Sequence, residues 1–93
     1  MKYNLELTRQ YLKDLKLARK RGLDESKLNE IILKLISGEE LPLKNHDHAL
    51  VGNYKGFREC HISPDWLLIY SREETIKIVT LVRTGTHPFI LAI

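Results

Sequence analysis

Residues 9–36 carry two consecutive amphipathic helical patterns, and neither is stable without a surface to cover. In the second, Leu28, Ile31, Ile32, Leu35 and Ile36 recur at the spacing of one helix face. In the first, Tyr11, Leu12, Leu15 and Ala18 fall on one side, and Arg9, Lys13, Lys16 and Lys20 fall on the opposite side. Leu17 lies off the apolar stripe, beside the basic one. Thr8 and Asp24 are placed to cap the two helix starts, and Gly22 and Gly38 to end them.

The covering surface has to come from strands. Lys2 to Leu7 alternate, with Tyr3, Leu5 and Leu7 on one face, which predicts a half-buried strand before the helices. After a loop over Glu39 to Asp47, three strand-like segments follow: Asn53 to His61, Trp66 to Tyr70 and Thr75 to Arg83. Ser63-Pro64-Asp65 marks one turn, because Pro64 presets φ and cannot donate in a central strand. Ser71 to Glu74 marks another. Trp66-Leu67-Leu68-Ile69-Tyr70 is continuously apolar, as in the middle of a sheet. The last segment places Ile76, Ile78, Thr80 and Val82 on one face and Lys77, Val79, Leu81 and Arg83 on the other. The expected fold is α+β, an antiparallel-rich sheet with two helices packed on one face and the other face free.

The chain has 93 residues, room for a single domain over 1–93. No apolar run approaches the roughly 20 residues that span a bilayer, and no secretory h-region follows Met1, so the cytoplasm is the expected compartment. A lone cysteine, Cys60, agrees with that. Net charge is +3, and the positive charge concentrates before Gly22, where seven Lys and Arg face only Glu6 and Asp14. An anionic partner follows naturally, although a basic helix face is often simply solvated.

His46, His48, His61 and His87 all lie in the C-terminal half, at strand ends or in loops. Asp65 follows His61 across a turn, and Arg83 and His87 flank Thr84-Gly85-Thr86. Cleaving RNA without a metal needs a base for the ribose 2′-OH, an acid for the departing 5′ oxygen and a cation near phosphorus. Histidine titrates near pH 6.5, about the right place for the first two roles. Arginine, always charged and fork-shaped, suits the third. The same residues also have blander uses: loop histidines are commonly solvated, and Trp66 and Tyr70 are more often core than base platforms. His46-Asp47-His48 contains metal-ligand types but no thiolate cluster or established ligand geometry, so no metal or cofactor is expected.

The run Asp47-His48-Ala49-Leu50-Val51-Gly52-Asn53-Tyr54-Lys55-Gly56-Phe57-Arg58-Glu59-Cys60-His61-Ile62-Ser63-Pro64-Asp65-Trp66, with Leu67 to Tyr70 and Arg83-Thr84-Gly85-Thr86-His87, resembles the YafQ branch of the RelE toxin superfamily. The resemblance spans essentially the whole chain. It implies a β-α-α-β-β-β(-β) fold, ribosome-associated cleavage of mRNA and neutralisation by a cognate antitoxin. It places the family's functional histidines at His48, His61 and His87, its acidic residue at Asp65 and its phosphate-binding arginine at Arg83. His87 and Asp65 are then the leading acid–base pair, with His48 and His61 placing or protonating the phosphate, and spacing does not divide these roles further. Trp66, Lys55, Arg58 and the helix stripe of Arg9, Lys13, Lys16 and Lys20 are the expected RNA contacts. The sequence departs from the pattern at Leu91, where family members often carry phenylalanine; Phe89 lies two residues earlier. His46 has no clear counterpart. The alternatives are a non-catalytic module that keeps only antitoxin or ribosome contacts, and an enzyme that cuts free RNA.

Overall fold

The computed structural model describes residues 2–86. Strand β1 (Asn4–Leu7) leads into helices α1 (Arg9–Lys20) and α2 (Glu25–Ile36), followed by β2 (His48–Ala49), β3 (Arg58–Ser63), β4 (Trp66–Glu73) and β5 (Ile78–Thr86). Short 3-10 turns occupy Leu43–Asn45 and Gly52–Tyr54. The strands form one sheet in the order β1-β5-β4-β3-β2, antiparallel throughout except that β1 runs parallel to β5. A parallel neighbour requires a crossover, and the two helices supply it.

Both helix starts are capped as expected: the Thr8 hydroxyl accepts from the Tyr11 amide at 3.0 Å, and the Asp24 carboxylate from the Ser26 amide at 3.0 Å. Gly22 and Gly38, at φ of 72° and 78°, follow the two ends. Inward-facing Tyr11, Ala18, Leu28, Ile31 and Leu35 meet Cys60, Ile62, Leu68, Tyr70, Val79 and Leu81 from the sheet. This layer is the main core.

Four expectations change. Leu12 is 46% exposed, and Asp14 takes the buried position on α1 instead. Leu5 and Leu7 stay exposed although they pair with buried Val79 and Leu81, because β1 is an edge strand whose outer end the helices do not cover. Strand β4 continues to Glu73, so the turn moves to residues 74–77 and Ile76 is left on the surface. Finally, the face away from the helices is not wholly open. Leu67 and Ile69 are covered there by Leu50, Tyr54, Phe57 and Val82, because residues 50–57 fold back over the sheet where a longer third strand was expected.

Candidate active site

Sheet register decides which polar side chains meet. His48 stands opposite Glu59, Glu59 opposite Ile69, and Ile69 opposite Arg83, which makes one row across β2, β3, β4 and β5. The next row on the same side holds His61 opposite Leu67 and Leu67 opposite Gly85. Directly paired residues share a face, and Leu67 and Ile69 mark this one as the face away from the helices. Arg83 reaches it through a β-bulge: Tyr70 pairs with Leu81 and Ile69 with Arg83, leaving Val82 as the extra residue. Simple alternation would have kept Arg83 with Val79 and Leu81 in the main core.

His48 is held at both ring nitrogens. Nδ1 lies 2.6 Å from the His46 carbonyl oxygen, and Nε2 lies 3.3 Å from Glu59 Oε1. Glu59 is 6% exposed, and its Oε2 is buried with no partner among the described residues. His61 is half-exposed, with Nδ1 3.3 Å from the Pro64 carbonyl oxygen and its ring edge-on to His46 at 5.4 Å. A carbonyl can only accept, so a hydrogen bond there is donated by Nδ1, and Nε2 has no partner among the described residues. Asp65 is exposed in the turn between β3 and β4. At the same end of the sheet Thr86 pairs with Trp66, the residue after Asp65. His87, Phe89 and Leu91 lie outside the described residues.

The segment before His48 is anchored by Asp47. Tyr70 donates its hydroxyl to Asp47 Oδ1 at 2.6 Å, and Arg58 donates Nε and Nη2 to the same carboxylate at 3.2–3.3 Å. Burial first, then the Asp47 hydrogen bond, raise the Tyr70 hydroxyl well above its ordinary range, so it stays a donor. The Asp47 hydrogen bond likewise raises Arg58. Tyr70→Phe is expected to lower stability by about 1–2 kcal/mol, since Asp47 keeps Arg58 and can recruit water. It should also speed hydrogen exchange at His48 and Ala49. A urea midpoint and exchange rates equal to those of the parent chain would show that the anchor is idle.

Arg83 is buried. It donates Nε and Nη2 to Asp14 at 2.8 and 3.2 Å, and Asp14 also accepts from the Thr84 amide at 3.1 Å. Strand β1 stops pairing at Leu81, so Asp14 satisfies an edge donor that β1 leaves behind. The Asp14 hydrogen bond raises Arg83 above the usual arginine range against the opposing effect of burial, and the Tyr54 hydroxyl acts in the same direction. The fork expected to face phosphate is thus engaged first by α1.

Trp66 corrects the sequence reading outright. It is 2% exposed in the main core, and its indole N–H donates to Thr84 Oγ1 at 2.8 Å, so no base can stack on it. Of the other expected RNA contacts, Lys55 is exposed and Arg58 is held by Asp47. Arg9, Lys13, Lys16 and Lys20 are all exposed, but on α1, across the sheet from His48 and His61. Cys60, fully buried, has its thiol pushed up to about 12 mainly by desolvation, which removes it as a nucleophile. Glu59 was missed, although period two places it on the same strand face as His61.

Comparison with known proteins agrees with this layout. The family described as bacterial toxin of type II toxin–antitoxin system, YafQ, matches residues 3–91. The mRNA interferase toxin YafQ of Escherichia coli strain K12 is 45% identical over 85 residues, 90% of each chain. The crystal structure of YafQ from E. coli strain BL21(DE3) superposes with a TM-score of 0.89 at 38% identity, covering 95% of this chain and 97% of that one. The toxin in the E. coli DinJ–YafQ toxin–antitoxin complex gives 0.87 at 41% identity, covering 97% and 98%. Two helices, a five-stranded sheet in this register and a match over nearly every residue place the chain in the YafQ family of type II toxin–antitoxin toxins.

Proposed function

We propose that this protein is a metal-independent endoribonuclease that cuts mRNA on the translating ribosome in the cytoplasm, and that a cognate antitoxin neutralises it. The observation that carries this reading is the gathering of His48, Glu59 and His61 on one sheet face, at the end where Asp65 sits. His61 Nε2 is the open ring nitrogen and takes the role of base or acid at the scissile phosphate. The base removes the ribose 2′ proton, the 2′ oxygen attacks phosphorus, and the P–O5′ bond breaks as an acid returns a proton to the leaving oxygen. Asp65 and His87 are the partners for the opposite proton transfer. His48, held between the His46 carbonyl and the Glu59 carboxylate, is fixed in orientation on the face where the phosphate would lie.

The ribosome enters through geometry. The basic ridge on α1 lies on the far side of the sheet from His48 and His61, so one substrate strand does not serve both. A large RNA assembly that surrounds the protein gives the ridge phosphates of its own. The related toxin crystallised with DinJ supports an antitoxin partner, and an acidic helix laid on the ridge would complement its charge.

The test is to map mRNA 5′ ends in cells briefly expressing the chain or its His87→Ala variant. New ends inside translated regions, absent with the variant, are expected. Soluble protein that yields no new ends without antitoxin present would replace this reading with a non-catalytic binding module. Equal cutting of ribosome-free RNA would remove the ribosome from it.

A further inference from the structure

Between α2 and the β3 end of the sheet lies a cavity of about 650 Å³, a size typical of small-ligand sites, which run from about 300 to 1,000 Å³. Its charge is one-sided: Lys27, Lys34 and Lys44 line it against a single carboxylate, Glu30. Asn45 lines it too and is 4% exposed. The Asn45 amide nitrogen donates to the His61 carbonyl at 2.7 Å, which fixes the orientation of the side chain, and its Oδ1 is buried with no partner among the described residues. Such an orphan acceptor is uncommon in a folded protein and invites a donor from outside. Ile31 and Ile62 add apolar wall for a flat ring. The cavity borders the candidate active site, because His61 lines it and His46, also in the lining, packs edge-on against His61.

We infer that this cavity receives a nucleotide of the RNA strand flanking the one that is cut. An amino-bearing base donates to Asn45 Oδ1 while its phosphate lies among Lys27, Lys34 and Lys44. The assignment rests on the ribonuclease reading for the direction of the strand, but binding here is measurable without cleavage. An acidic peptide would find the same lysines, yet it leaves unexplained the histidine pair that joins the cavity to the catalytic face.

The probe is a 5′-phosphorylated 2′-O-methyl ApA dinucleotide, which lacks the attacking hydroxyl and cannot be cut. Titrated into the isotope-labelled full chain, it is expected to shift the Asn45 side-chain amide and the His61 and Ile62 backbone amides saturably. Lys27→Glu with Lys44→Glu, both exposed positions, should weaken binding about tenfold. The same dinucleotide with purine in place of adenine, lacking only the amino group, should also lose about tenfold, because Asn45 Oδ1 is left unpaired. No saturable shift at these residues, equal affinity of the double variant, or a response only to a glutamate-rich peptide would overturn the assignment. Failures separate cleanly. A chain that binds the probe here but cuts no mRNA loses the ribonuclease reading and keeps the cavity. One that cuts mRNA but ignores the probe loses the cavity alone.

Discussion

Replacing His61 by alanine is expected to slow mRNA cleavage by about 10²–10⁴-fold, the range for loss of one general acid or base. Its contacts explain why the fold should survive. Among the described residues the ring is half-exposed, lies 3.3 Å from the Pro64 carbonyl oxygen and packs edge-on against His46. The stability change should therefore stay within about 1 kcal/mol, as for surface positions with few contacts. His61→Gln gives a sharper reading, since it can keep a donor toward the Pro64 carbonyl while removing the titrating ring. If His61→Gln cuts at the parent rate, His61 is a positioning group and the base must be sought at Asp65 or His87. If both variants lose cleavage with unchanged urea midpoints, the chemistry belongs to the ring.

The helices and their caps were legible because their signals are local. Spacing, Thr8, Asp24, Gly22 and Gly38 specify them without reference to distant residues. What sequence could not show is what depends on register. Arg83 reads as a strand-end fork aimed at solvent, and only the bulge at Val82 together with the early end of β1 reveals that Asp14 holds it. Asp14 sits among basic residues and reads as solvated, because helix periodicity does not report which edge of the sheet lies beneath. Trp66 was drawn toward RNA by resemblance, while its own pattern, the first residue of an apolar run, already favoured the core. Glu59 was hidden between Arg58 and Cys60, and pairing with His48 across β2 and β3 is what gives it meaning. The histidines and Asp65 were legible as types, and the structure adds that His61 Nε2 has no partner among the described residues.

Asp14→Ala is expected to destabilise the protein by about 3–5 kcal/mol, the usual effect of breaking a buried ion pair. Side-chain exposure is 10% for Arg83 and 2% for Asp14, so neither water nor salt can stand in. The change also strips the Thr84 amide of its acceptor at the strand edge. Against a total of about 5–15 kcal/mol for a domain, this is a large fraction, and urea titration should show a much lower midpoint. A loss below about 1 kcal/mol would mean that the pair is solvated in practice and that Arg83 is open to phosphate after all. The double variant Asp14→Ala with Arg83→Met separates architecture from chemistry. Removing the buried guanidinium as well should recover a substantial part of the lost stability, with the shortfall holding the Thr84 contact and the other contacts of Arg83. If cleavage returns along with stability, Arg83 serves only to tie α1 to β5. If stability returns and cleavage does not, the guanidinium acts on the phosphate, and Asp14 is the residue that holds it ready.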